Sequence, residues 1–98
     1  MRIEIAAQAE RHLLEKISYW DTHRPAARIR VEDAFQTALS EILRHPHLGV
    51  RYGPRPRYRT WPLKGTPYRV FYLFDEEQSQ ITIADVWSSQ RGKGPELK

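Results

Sequence analysis

A single arginine, Arg69, interrupts the most apolar segment of this 98-residue chain. The segment is Pro-Tyr-Arg-Val-Phe-Tyr at positions 67–72, and its other side chains are mostly aromatic or aliphatic. A guanidinium stays charged at neutral pH, and its burial without a partner is costly. Its head must therefore reach water, a carboxylate or a phosphate-bearing partner. Arg69 is the first candidate for contact with an anionic target, and an internal ion pair with Asp85 is the alternative.

The positive charge of the chain is concentrated before and around Arg69. Residues 1–45 hold seven basic and seven acidic side chains, whereas residues 46–98 hold nine basic and five acidic ones and so carry the net charge of +4. Residues 51–69 include no acid. The basic side chains of that stretch are Arg51, Arg55, Arg57, Arg59, Lys64 and Arg69. Such a field favours contact with a polyanion or an acidic protein segment, and a solvated basic loop is the plainer interpretation.

Several kinds of site are not predicted. The chain has no cysteine, which excludes disulfides, thiolate zinc sites and cysteine nucleophiles. His45 and His47 lie close together but have no carboxylate at a ligand-like spacing, so we predict neither a metal site nor a cofactor. No apolar run is long enough to span a membrane, and the charged side chains of Arg2, Glu4 and Glu10 argue against a signal peptide. We expect a cytoplasmic protein.

The elements that would position Arg69 can be predicted from hydrophobic periodicity. Residues 2–5 alternate and predict a short strand. Small and apolar residues recur at steps of three and four from Ala6 to Trp20, which is typical of an amphipathic helix. Pro25 suits the first turn of a second helix, and the short link predicts an antiparallel helical hairpin. The apolar face of the second helix consists of Val31, Phe35, Ala38 and Ile42.

Three strands are predicted after the helices, at residues 58–61, 67–74 and 80–87. The second is apolar on both faces and is therefore expected at the centre of the sheet. Helices followed by strands predict an α+β domain, with the helical hairpin on one face of a three-stranded antiparallel sheet. Residues 1–91 are expected to form one domain. Residues 92–98 contain two glycines and a proline and are predicted to be a flexible tail.

This order of elements resembles the RelE/ParE superfamily of bacterial toxins from type II toxin–antitoxin modules. The residues that carry the resemblance are the Trp61-Pro62 pair, the segment 67–72, the Val86-Trp87 pair and Arg91. The resemblance implies a toxin that inhibits growth and is neutralised by a cognate antitoxin. Homodimers and heterotetramers with the antitoxin are both compatible with it. It also implies that Arg69 and Arg91 serve the target, with Lys64, Arg57 and Arg59 as a basic platform.

Two targets are known in this superfamily. RelE-like toxins cleave messenger RNA in the ribosome without a metal, whereas ParE-like toxins poison DNA gyrase without being nucleases. The chain departs from the nuclease pattern, because nothing aromatic follows Trp87, and Ser88 and Ser89 stand where many relatives carry a histidine and a small residue. We therefore favour a ParE-like toxin that binds gyrase. A metal-independent, ribosome-dependent mRNA endoribonuclease is the alternative.

The resemblance also implies a surface for the antitoxin. Toxins of this type are wrapped by a flexible, amphipathic antitoxin segment. The alanine-rich outer parts of the helices, together with the basic stretch at residues 51–69, would offer it a groove and a complementary charge. The alanines in question are Ala26, Ala27, Ala34 and Ala38.

Overall fold

The amphipathic pattern of the N-terminal half forms two helices in the computed structural model, which describes residues 1–90 and 92–97. Helix α1 spans Ala7–His23 and helix α2 spans Pro25–Arg44, with Arg24 alone between them. Pro25 begins α2 because its fixed φ and missing N–H suit the first turn of a helix. The one-residue link makes the two helices an antiparallel hairpin, as predicted. Neither helix is both long and apolar enough to cross a membrane.

Five strands form one sheet within the described residues. They are β1 (Arg2–Ile5), β2 (Val50–Arg51), β3 (Arg59–Pro62), β4 (Tyr68–Asp75) and β5 (Gln80–Ser88). The spatial order is β1-β5-β4-β3-β2, in which β1 runs parallel to β5 and all other neighbours are antiparallel. The predicted antiparallel trio with β4 in the middle is confirmed, and the parallel β1 and the two-residue β2 extend it on either side.

The main core lies between the helical hairpin and one face of the sheet. Its buried side chains are Ala9, Phe35, Ala38, Ile42, Leu63, Val70, Tyr72, Ile81, Ile83 and Val86. Val70 and Tyr72 of β4 point toward the helices, so Arg69, Phe71 and Leu73 point to the opposite face because side chains alternate along a strand. We call this opposite side the second face of the sheet. Phe71 is buried there in a smaller apolar cluster with Tyr58 and Leu97.

A β-bulge interrupts the pairing of β4 with β5. Phe71 pairs with Asp85 and Tyr72 pairs with Ile83, which leaves Ala84 without a partner on β4. An extra residue shifts the alternation of side chains beyond it. Val86 therefore joins Ile83 in the main core, and Trp87 packs against the smaller cluster on the second face.

The C-terminal segment 92–97 lies against the second face of the sheet, where Leu97 packs with Tyr58 and Phe71. Pro95 of the same segment is also buried. Two residues of this six-residue segment are thus buried. The mobility of residues 92–98 and the extent of the single domain, residues 1–91, stay predictions.

Candidate functional site

Arg69 lies on the second face of the sheet, half buried, between its cross-strand partners Pro62 and Trp87. Its Nη2 donates a hydrogen bond of 2.9 Å to the hydroxyl of Thr60, and its Nε lies 3.3 Å from the same oxygen. The alternative prediction, an ion pair between Arg69 and Asp85, is wrong, because Asp85 binds Gln8 and His12. Because a threonine hydroxyl orients a guanidinium without neutralising it, the charge of Arg69 stays available to an anionic partner on this face.

Asp85 is fully buried and binds α1 instead. Its Oδ1 lies 2.6 Å from Nδ1 of His12, and its Oδ2 accepts a hydrogen bond of 2.8 Å from the side-chain amide of Gln8. The backbone N–H of Val86 also donates to Oδ1, at 2.8 Å. The carboxylate therefore has three partners in the interior, which is what a buried charge requires.

The physical reason for this pairing is the end of β1. Strand β1 pairs with β5 only as far as Ile5 and Ile83, and the chain then turns directly into α1. The first turns of α1 consequently lie beside the second half of β5, next to Asp85. Sequence reasoning missed Gln8 and His12. The available signal was their four-residue spacing on the flank of the apolar stripe of α1, which puts both side chains on one side of the helix.

Lys64 lies apart from Arg69. It is in the turn between β3 and β4, its side chain is exposed, and its Nζ is 4.0 Å from Oε2 of Glu41 on α2. Glu41 also accepts a hydrogen bond of 3.3 Å from the indole N–H of Trp61. Lys64 therefore faces the helices, whereas Arg69 faces away from them. The structure does not bring the two predicted site residues together.

The predicted basic surface divides into two parts, and the first part holds loops in place. Nη1 of Arg59 donates to the carbonyls of His47 and Gly49, at 3.0 and 2.9 Å. Nη1 of Arg51 donates to the carbonyl of Pro56 at 2.7 Å. Arg59 and Arg51 thus each satisfy backbone carbonyls of irregular segments, a structural role that their position in a basic stretch did not indicate.

The second part is open to solvent. Arg55 and Arg57 are exposed, and the guanidinium of Arg57 lies 5.6 Å from the centroid of the Tyr58 ring. Tyr58 belongs to the second-face cluster, so Arg57 borders the face that carries Arg69. Arg91, the other predicted site residue, lies outside the described residues.

Tyr72 anchors the loop that precedes the basic surface. Its hydroxyl donates a hydrogen bond of 2.8 Å to the carbonyl of Pro46 and accepts one of 3.1 Å from the N–H of Gly49. Burial raises the pKa of Tyr72, and the Gly49 hydrogen bond and the charge of Arg59 offset part of this rise. A Cβ atom on Gly49 would lie 2.2 Å from the Tyr72 hydroxyl oxygen, so this close approach requires glycine.

The described side chains beside Arg69 can contact a partner. Of the described residues, those that hydrogen-bond or pair across the sheet with Arg69 are Thr60, Pro62 and Trp87, and none of these side chains exchanges a proton readily near neutral pH. Within residues 1–90 and 92–97, no three histidine, aspartate or glutamate side chains are grouped so that they could hold a metal ion. The site around Arg69 thus combines a guanidinium with an aromatic and aliphatic surface, and this combination is common at protein interfaces.

Comparisons with known proteins agree with the fold and with the resemblance. A search of curated proteins finds no match. Among solved structures, a chain of the "Chromosomal ParDE TA system from P. aeruginosa" has a similar fold, with a TM-score of 0.75. The two chains are 14% identical, and the match covers 90% of this chain and 95% of the other. At such low identity the likeness concerns the fold alone.

The sequence itself carries the family assignment. The profile of the family described as "ParE toxin of type II toxin-antitoxin system, parDE" matches residues 3–92, which is nearly the whole chain. The match extends from β1 through α1, α2 and the full sheet. The chain therefore belongs to the ParE toxin family of type II toxin–antitoxin systems.

Proposed function

We propose that this chain is a cytoplasmic toxin that inhibits bacterial growth by binding DNA gyrase, and that a cognate antitoxin neutralises it. The observation that carries the proposal is the match of residues 3–92 to the ParE toxin family. The finer statement, that gyrase is the target, rests on the ParE-like character of the chain. The geometry around Arg69 supports inhibition by binding, because it provides a charge and an apolar surface.

Arg69 is the residue through which the target would be held. Its charge is not neutralised by the Thr60 hydroxyl, and the apolar cluster beside it contains Phe71 and Tyr58. Arginine and aromatic side chains are enriched among the residues that dominate binding energy at interfaces. We assign target contact to Arg69 together with the exposed Arg55 and Arg57. Arg91 stays a predicted member of the same site.

The antitoxin would dock on the outer side of the helices. Ile29 of α2 has a relative exposure of 51%, and it borders a cleft of about 420 Å³ between α2 and the turn that carries Lys64. Ala26 and Ala34 line the same cleft. Ala38, in contrast, is only 1% exposed and belongs to the core, so its expected place in the groove is wrong. The cleft fits the apolar anchor of an amphipathic segment.

Cleavage of RNA is less well supported. A metal-independent ribonuclease needs groups that move protons at the attacking and leaving oxygens. The pair of His12 and Asp85 includes such groups, but it joins α1 to β5, whereas Arg69 donates to Thr60 of β3. Within the described residues, the side chains around Arg69 supply no acid or base. Ribosome-dependent mRNA cleavage is therefore the alternative function, and the test below distinguishes it from gyrase binding.

The test uses the purified chain with purified gyrase and, separately, with translating ribosomes. We expect loss of DNA supercoiling activity in the first assay and intact mRNA in the second. In cells, controlled expression should induce the SOS response before protein synthesis falls. Intact supercoiling at excess toxin, combined with mRNA cleavage in the ribosome assay, would replace gyrase by the ribosome as the target.

The antitoxin is tested independently of the target. Co-expression with the small acidic protein from the adjacent reading frame should yield a stable complex and restore growth. Ile29→Asp should weaken this complex, because it puts a carboxylate in place of an apolar side chain that lines the cleft. Asp33→Asn lies on the border of the same cleft and is the matched control. A complex that forms equally well with Ile29→Asp would remove the cleft from the docking surface.

A further inference from the structure

The C-terminal strap, which we define as residues 92–97, is docked on the second face of the sheet by alternate side chains. Pro95 and Leu97 are buried, while Glu96 between them is exposed. Leu97 is 9% exposed and packs against Tyr58 and Phe71. In the strap, buried apolar side chains thus alternate with an acidic side chain that faces solvent.

Polar contacts hold the strap at two points. The indole N–H of Trp87 donates a hydrogen bond of 2.9 Å to the carbonyl of Lys93. The side-chain amide of Gln8 donates one of 2.8 Å to the carbonyl of Glu96, and the same amide nitrogen binds the buried carboxylate of Asp85 at 2.8 Å. Gln8 therefore connects the strap to the polar pair in the interior.

The fit of the strap is close between these two points. Gly94 passes the side chain of Tyr52, and a Cβ atom at this position would lie 1.8 Å from the tyrosine hydroxyl oxygen. Tyr52 itself packs edge-on against Phe71, with ring centroids 5.0 Å apart. A Cβ atom added to Gly92, two residues earlier, would have no neighbouring atom within 4 Å.

The strap covers part of the face that we assign to the target. Trp87, which anchors Lys93, is the cross-strand partner of Arg69. Beside Leu97 and Glu96 an open cleft of about 380 Å³ continues along the face, and its lining includes Arg57, Tyr58 and Leu73. The surface under and beside the strap is thus apolar at its centre and basic at its border.

We propose that the strap is a releasable occupant of a binding surface for an extended, acidic protein segment with an aliphatic anchor. The proposal rests on the proposed function, because it places part of a protein partner's binding site under the strap. The partner segment would put an aliphatic side chain in the place of Leu97 and a backbone carbonyl opposite Gln8. Its acidic residues would lie near Arg57. A short terminal segment with few anchors is among the first parts of a fold to open.

The first experiment tests whether the strap opens independently of the domain. Gly94→Ala places a methyl group against Tyr52, whereas Gly92→Ala makes the same chemical change where there is space. The readout is hydrogen exchange at the Trp87 indole N–H in the full chain, followed by NMR, together with the melting temperature. We expect exchange at least roughly tenfold faster in Gly94→Ala, since exchange follows the local opening equilibrium. Gly92→Ala should exchange like the parent chain.

A second variant tests whether the methyl group of Gly94→Ala acts through the Tyr52 hydroxyl. Tyr52→Phe removes the hydroxyl that meets the new methyl group, so Gly94→Ala combined with Tyr52→Phe should recover part of the protection. The melting temperature should stay near that of the parent chain in all of these variants, because the main core is not touched. Equal exchange in Gly94→Ala and Gly92→Ala, or a large common loss of melting temperature in Gly94→Ala, would overturn the idea of a separately opening strap.

The second experiment tests the binding surface itself. The probe is the synthetic peptide acetyl-Glu-Gly-Pro-Glu-Leu-Glu-amide, which keeps the Gly-Pro-Glu-Leu sequence of the strap and carries three glutamates. Opening removes an intramolecular competitor whose effective concentration is on the order of millimolar. We expect the peptide to bind Gly94→Ala at least tenfold more tightly than the parent chain, and to lose this binding when alanine replaces its leucine. Equal affinity for both chains would overturn the proposal.

Neither readout depends on growth inhibition or on gyrase. If the strap opens and the peptide binds while supercoiling is unaffected by the toxin, the target assignment fails and the binding surface stands. If supercoiling is inhibited but the strap variants behave alike, the strap proposal fails and the proposed function stands.

Discussion

The carboxylate of Asp85 lies 2.6 Å from Nδ1 of His12 and joins the last strand to the first helix in the interior of the protein. The Asp85 side chain is fully buried and that of His12 is 20% exposed. A second pair of histidine and carboxylate, His47 with Glu76, has almost the same length, 2.7 Å, but both of its side chains are more than 60% exposed. The two pairs therefore differ mainly in burial.

Loss of the two carboxylates should have very different effects on stability. Asp85→Ala leaves His12 and Gln8 without their buried partner and should cost about 3–5 kcal/mol, as is usual when one member of a buried pair is removed. Glu76→Ala should cost less than about 1 kcal/mol, because an exposed pair is weak. Urea unfolding of the three proteins measures both free energies. A change of similar size in the two variants would show that burial does not set the strength of the Asp85 contact.

The packing of α2 on the sheet predicts a second large effect. Phe35 is 4% exposed within the main core. Phe35→Ala should lower the free energy of unfolding by about 3–5 kcal/mol through lost burial and a residual cavity. Leu43→Ala, at an exposed position of the same helix, is the control and should have little effect. A melting shift of only a degree or two in Phe35→Ala would contradict the position of this side chain in the core.

The helices and the three main strands could be predicted because each follows from a local pattern. The apolar face of α2 recurs at steps of three and four, and β4 is apolar on both sides, which placed it at the centre. Strand β2 could not be predicted, since its two residues are defined only by pairing with Arg59 and Thr60. No local preference in residues 46–57 indicates that pairing.

The candidate site was predictable only in part, for a related reason. Arg69 could be singled out because a charge in an apolar strand needs an explanation. Its partner could not, because the bulge at Ala84 changes which way the following side chains point. Asp85 consequently meets Gln8 and His12 rather than Arg69. The structural roles of Arg51 and Arg59 depend on loop carbonyls whose positions are set by the tertiary fold.

Because Tyr72 is buried, the protein should become less stable at high pH. Burial raises the pKa of Tyr72 above its usual value of 10.0. In the unfolded chain this tyrosine loses its proton near that value, while the folded protein still holds it. The free energy of unfolding should therefore fall as the pH rises above about 10, until the folded form also releases the proton.

The measurement for Tyr72 compares the native chain with Tyr72→Phe. The variant loses the hydrogen bond to the Pro46 carbonyl, and this should cost about 1 kcal/mol at neutral pH. It should also lose less stability than the native chain when the pH is raised from 9 to 11, in unfolding experiments at constant ionic strength. Parallel pH profiles for the two proteins above pH 10 would contradict the role of burial at this hydroxyl.

Substitution of Arg69 or Arg91 by alanine should reduce toxicity without reducing the stability of the fold. Arg69 donates to the neutral hydroxyl of Thr60, a hydrogen bond of small net energy, so Arg69→Ala should keep the fold and antitoxin binding while it relieves growth inhibition. Arg91→Ala is predicted to do the same. Arg59→Ala is the contrasting variant: it should lower the melting temperature, because the carbonyls of His47 and Gly49 lose their donor. Growth after controlled expression, circular dichroism and complex formation with the antitoxin measure the three properties.

Full toxicity of a folded double variant of Arg69 and Arg91 would remove both residues from the target site. A melting temperature that falls in Arg69→Ala as much as in Arg59→Ala would assign Arg69 a structural role instead.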